Sequence, residues 1–208
     1  MRFTWIALIV LMASPVVSIS APAGGASQAA TAPEVRTYGP GVVAVTFVGS
    51  FDAEAGKLPA SYEIRTPDGQ VAVTKVGRAS QVRRLIHRGW PYKPVMAHTV
   101  FLVLEKPLKP KAACTVTVAK AVTGKALSLR CAFDPAGGAP ELIKINQCGY
   151  LPDGPKVAFL GGWLGDLGAL ELKDLAKTFR VLDSAGGREA FTGRCELQIE
   201  ADPASGES

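Results

Sequence analysis

The sequence predicts an all-β protein built as two antiparallel β-sandwich modules in tandem, the second incomplete at its C-terminal end. Three observations carry that expectation. Short segments rich in β-branched and aromatic residues recur along the chain, separated by Gly, Pro and Asp. Within them apolar and polar residues alternate, as in Thr115-Val116-Thr117-Val118, which gives one buried and one solvated face. No amphipathic pattern runs beyond two helical turns. The 208 residues, 48% hydrophobic and 20% charged, suffice for two small cores.

At the N-terminus Arg2 precedes an apolar run from Trp5 to Val17, followed by small residues such as Ser18, Ser20, Ala21 and Ala23. This is the pattern of a secretory signal peptide over residues 1–23. The run is shorter than the roughly 20 residues a spanning helix needs, and Pro15 interrupts it, so a membrane anchor is the poorer reading. A secreted or periplasmic location follows, with no membrane partner after cleavage. Residues 24–33 are small and polar and read as a flexible linker.

The first module, 34–134, is expected to hold strands at 42–47, 62–65, 71–76, 99–104, 114–119 and 127–133. Pro67-Asp68-Gly69 is the clearest hairpin turn between them. Cys114 and Cys131 flank a hairpin turning near Val122-Thr123-Gly124, which sets the two cysteines opposite each other. In an exported chain they can form a disulfide worth about 3 kcal/mol by loop entropy. Cys148 and Cys195 remain for the second module, either as a second pair or as buried free thiols. No two cysteines have metal-ligand spacing, and His87 and His98 lie apart from them.

The net charge of +5 is mild for a nucleic-acid binder. Much of it sits in Lys75, Arg78, Arg83, Arg84, Arg88 and Lys93, around His87, Trp90 and Tyr92. Basic residues with aromatics can hold a nucleic acid or an acidic polymer, or can simply form a solvated strand face and loop. Export argues against nucleic acid as a partner. Residues 135–140 form a Gly- and Pro-rich connection.

The second module, 141–208, is expected to hold strands at 141–146, 156–161, 178–182, 189–193 and 195–200, with a loop through Gly161-Gly162-Trp163-Leu164-Gly165-Asp166-Leu167-Gly168. A sandwich of this size needs about seven strands, and five fit before Ser208. Its first corner is the most specific stretch of the chain: Ile143-Lys144-Ile145-Asn146-Gln147-Cys148-Gly149-Tyr150 runs into Pro152-Asp153-Gly154-Pro155-Lys156. Gly149 allows a sharp bend, and the prolines preset the turn.

That corner resembles the opening of the immunoglobulin-like module that precedes the catalytic domain in family-nine glycoside hydrolases, the cellulases and endoglucanases. Asn146-Gln147, Gly149-Tyr150, Pro152 and Pro155-Lys156 carry the likeness, with Cys148 where an apolar residue is usual. It continues through 178–183, the turn 184–187, Phe191-Thr192-Gly193, Asp202 and Ser205-Gly206-Glu207. The stretch 99–118 of the first module is similar to the last hairpin of bacterial immunoglobulin-like or fibronectin-like modules. The resemblance implies a secreted, non-catalytic N-terminal region of a cellulase whose helical catalytic barrel lies beyond Ser208. Inverting hydrolysis of β-1,4-glucosidic bonds would belong to that barrel, the principal partner expected for this chain.

No catalytic set is present in the sequence itself. There is no Gly-x-Ser-x-Gly elbow, no His-Glu-x-x-His pair and no phosphate-binding glycine loop, so no catalytic, metal or cofactor site is expected. Asp166, Asp174, Asp183, Asp202 and Glu207 read as turn caps and solvated charge. Two binding roles stay open. Trp90, Tyr92 and Trp163 either stack on sugar rings or plug the ends of their sandwiches. Asn146, Gln147 and Tyr150 either tie the corner to its own module or face the catalytic barrel. A free-standing extracellular polysaccharide-binding or adhesion protein is the alternative to the cellulase reading.

Overall fold

The computed structural model describes residues 32–87, 89–134, 142–172, 177–183 and 187–196. The expected signal peptide, the linker up to residue 31, the connection 135–140 and residues 197–208 lie outside the described residues, as does Asp174. The described residues are predominantly β-strands in antiparallel pairs. They form two compact units, 32–134 with Trp163–Ala169, and 142–162 with 170–196.

In the first unit β1 (Glu34–Thr37), β2 (Val42–Val48), β5 (Val73–His87) and β6 (Lys93–Leu104) form one sheet in the order β1-β2-β6-β5. A second sheet, in the order β4-β3-β7-β8, is built from β3 (Tyr62–Thr66), β4 (Gly69–Val71), β7 (Ala113–Val118) and β8 (Leu127–Ala132). With strands lettered in chain order this is an A-B-E-D sheet facing a C′-C-F-G sheet, the immunoglobulin arrangement. Strand alternation builds the core. Val43, Val45 and Phe47 of β2 and Val100, Leu102 and Leu104 of β6 point in from one sheet, and Tyr62, Ile64, Val116 and Val118 from the other. Each fully buried aliphatic chain contributes about 1.5–3 kcal/mol.

Local chemistry sets the connections. Pro67 and Asp68 make the turn between β3 and β4, closed by the pair Thr66↔Gly69, where Gly69 has φ +122°. The strand expected at 71–76 is split, because the chain changes sheets at Ala72: β4 pairs with β3 and β5 with β6. In the 114–133 hairpin the expected simple turn is a helical turn, α2 (Lys120–Thr123), stopped by Gly124 in the left-handed conformation. A second short helix, α1 (Ala53–Lys57), starts where the Asp52 carboxylate accepts from the backbone N–H of Glu54 and Ala55. The buried Tyr62 hydroxyl donates to the Gly56 carbonyl at 2.7 Å, and burial pushes its pKa well above the ordinary phenol value.

The second unit contains β9 (Ile143–Ile145) paired with β10 (Ala158–Leu160), and β11 (Thr178–Leu182) paired with β12 (Glu189–Arg194). Cys195 and Glu196, expected to open another strand, are not in one. Phe179 and Phe191 lie against each other on one face of the second pair, with ring centroids 5.8 Å apart. Phe179 covers Gly193, where a side chain would strike the ring.

Candidate functional site

Two places concentrate the residues singled out by sequence. The first is the corner after β9. The Asn146 carboxamide oxygen accepts from the Cys148 N–H at 3.0 Å, an Asx turn. Gly149, at φ +88°, then reverses the chain and donates to the Asn146 carbonyl at 3.1 Å. The Tyr150 hydroxyl accepts from the Asn146 N–H at 3.1 Å and donates to the Val157 carbonyl, so one phenol links both sides of the corner. Lys156 Nζ donates to the carbonyls of Leu151, Pro152 and Gly154 at 2.7–2.9 Å, holding the proline turn from inside. Asn146 and Tyr150 are therefore engaged within their own module, while Gln147 is exposed.

The second place is the end of the β5–β6 ribbon. β2 accompanies β6 only as far as Ala97, whereas the β5–β6 pairing continues to His87↔Lys93. The outer part of the ribbon is thus a two-stranded arm. The paired residues Val82↔Met96 and Leu85↔Pro94 continue the face that points into the core, and Arg84↔Val95 occupies the opposite face. At the tip, Trp90 is 87% exposed and Tyr92 56%, their rings edge to face at 6.1 Å across a cis Trp90–Pro91 bond. Neither ring plugs the sandwich. Phe51 fills that end instead, stacked on His98 at 5.0 Å and covered by the Arg78 guanidinium at 5.3 Å. Burial lowers the His98 pKa, and the nearby Arg78 charge pushes the same way against the backbone contact with Gly49.

Trp163 is 47% exposed and bridged to Ala169. Its loop lies along β5 through the close approach of two glycines. A Cβ on Gly77 would strike the Leu164 carbonyl, and one on Gly165 the Arg78 carbonyl. Asp166, read from sequence as a turn carboxylate, accepts from the Arg78 N–H at 2.6 Å and fixes the loop. No ring pair joins Trp163 to Trp90 or Tyr92 among the described residues.

Cys114 and Cys131 form a disulfide, directly opposed in the β7–β8 register with Cα atoms 5.0 Å apart. Cys148 and Cys195 are both free thiols, so the second expected pair is corrected. Cys148 is held by the Asx turn in an exposed position, which also corrects its reading as a buried thiol; Cys195 is partly exposed just past β12. Sequence reasoning missed the arm itself. Val82, Leu85 and Ile86, between 43% and 57% exposed, were not singled out. Their signal was an apolar run flanked by arginines, which resembles an ordinary strand.

The comparisons bear on the corner. Residues 139–208 match the family model of the cellulase N-terminal ig-like domain. The match covers about a third of the chain and contains the whole Asn146–Lys156 corner. Among solved structures, the chain is similar to the N-terminal part of the bacterial S-layer protein SbsC, at 13% identity and a TM-score of 0.35. That alignment covers 76% of this chain and 37% of the S-layer chain. No curated protein matches. Among the described residues, no helix is long and apolar enough to cross a membrane.

Proposed function

We propose that this chain is the non-catalytic N-terminal region of a secreted cellulase-like glycoside hydrolase, and that its cellulase-type segment braces the catalytic domain of the same polypeptide. The observation that carries this reading is the match over residues 139–208, which contains a corner tied by its own side chains. A corner closed by Asn146, Tyr150 and Lys156 presents a fixed surface, so docking on it costs little ordering entropy. Beside it Leu151, Val157 and Phe159 are between 49% and 78% exposed, which supplies apolar area for a partner domain. Holding a substrate cleft in its productive geometry can contribute to rate without touching the reacting atoms.

The test is hydrolysis of a soluble β-1,4-glucan by the complete polypeptide. Replacing the exposed pair Leu151→Ser and Phe159→Ser should lower kcat by about tenfold, the cost of a modest misplacement at the cleft. Activity within twofold of the parent would contradict the bracing role. One observation supports a second reading, an extracellular polysaccharide-binding protein: Trp90 is held almost fully bare at the end of an arm, where a ring can stack on a sugar.

A further inference from the structure

We infer that the outer half of the β5–β6 arm is a binding site for a linear acidic polysaccharide, with Arg83, Arg84 and Lys93 taking its carboxylates and Trp90 stacking on its sugar rings. The inference rests on the polysaccharide-binding reading and assigns it a ligand class.

Charge is the first argument. From Val73 to Leu104 the sequence holds six Lys and Arg residues and not one Asp or Glu. That local charge exceeds the net +5 of the whole chain, so the remaining residues are close to neutral together. Among the described residues, Arg83, Arg84 and Lys93 make no salt bridge; the pairs present elsewhere are Arg36–Glu34, Lys57–Glu54, Arg65–Glu63 and Lys109–Asp68. An acid-free stretch keeps its cations free for an external anion, and the field they sum to favours a polyanion over a single small ion.

Geometry is the second. Arg84 and Lys93 pair opposite Val95 and His87, which places them on one face of the arm's outer half. Arg84 stands three residues before His87, the partner of Lys93, so the two positions are about 10 Å apart along the ribbon at ~3.3 Å per residue. Cations at that spacing fit the recurring carboxylates of a chain laid along the arm. The aromatic tip then supplies what charge alone does not. Trp90 offers an open ring face, and Tyr92, set edge-on at 6.1 Å, supports the indole from the side. Nucleic acid shares the linear anionic character, but the match of residues 139–208 to a cellulase-associated domain favours a polysaccharide as the ligand.

The experiment measures binding of the 208-residue chain to polygalacturonate, to the neutral glucan hydroxyethyl cellulose, to single-stranded oligo-dT and to vesicles of anionic phospholipid. Polygalacturonate should bind tightest, and the affinity should fall steeply between about 50 and about 300 mM salt. The triple variant Arg83→Gln, Arg84→Gln, Lys93→Gln should lose about tenfold or more, and Trp90→Ala about three- to tenfold. All four positions are exposed, so both variants should keep the parent unfolding temperature. Equal binding of neutral glucan, unchanged in the triple variant, would overturn the acidic assignment and leave glycan binding standing. Failure to bind either polysaccharide would overturn both, and preference for oligo-dT or vesicles would replace the ligand class. None of these outcomes depends on hydrolytic activity, which tests the bracing role separately.

Discussion

At the scale of single residues, the most informative contacts hold backbone rather than substrate. Lys156 spends all three of its N–H donors on turn carbonyls, and Tyr150 joins the two limbs of the corner. The sequence made that corner legible because glycine and proline restrict backbone angles by covalent structure alone. It did not reveal which side chains close the turn, since lysine and tyrosine serve equally well elsewhere. His98 gives a pH test at the same scale. Its folded pKa lies below the unfolded value of 6.5, so the unfolded chain binds the extra proton. The stability due to neutral His98 is complete above 6.5 and is lost as pH falls below it toward the folded value. Thermal unfolding followed from about pH 7.5 to about pH 5 should show a steeper loss in the parent than in His98→Gln, which can retain a contact with the Ser80 hydroxyl now 2.8 Å from Nδ1. Identical slopes would mean that protonating His98 costs the fold nothing.

At the scale of elements, strand existence was largely legible and strand extent was not. The segments 42–47, 62–65, 114–119 and 178–182 fall on β2, β3, β7 and β11 because alternation and β-branched composition report directly on a half-buried face. The arm escaped because all of β5 from Gln81 to Ile86 is exposed whichever face a residue takes, so burial leaves no periodic imprint there. The switch of sheets at Ala72 left no proline or glycine to mark it. The β7–β8 pair is also where a covalent bond matters most. The Cys114–Cys131 bridge closes a loop with a sequence separation of 17, which by chain entropy stabilises the fold by about 3 kcal/mol. The double variant Cys114→Ala, Cys131→Ala should therefore unfold at clearly lower denaturant, with a slope no smaller than the parent's because its unfolded chain is no longer cross-linked. An unchanged midpoint would show that the β7–β8 ladder and core alone hold this edge.

At the scale of the whole molecule, the two units differ in how completely they bury themselves. The first closes a sandwich of eight strands around a continuous apolar core. The described part of the second has two separate strand pairs and leaves Phe159, Phe179 and Phe191 between 41% and 58% exposed. Apolar surface of that kind is what a supporting module offers to a partner. The sequence suggests the proposed bracing role through one corner motif, and physics alone does not supply a partner's identity: an exposed phenylalanine offers apolar area without naming what would cover it. The most direct measurement is the mass of the native polypeptide in the extracellular fraction, detected with an antibody to the first unit and read by peptide mass spectrometry. The account predicts a chain well above the 21.8 kDa of these 208 residues, with peptides of a helical glycoside hydrolase domain following Ser208. A secreted species of 21.8 kDa or less as the primary product, in cells whose coding sequence stops after Ser208, would contradict it.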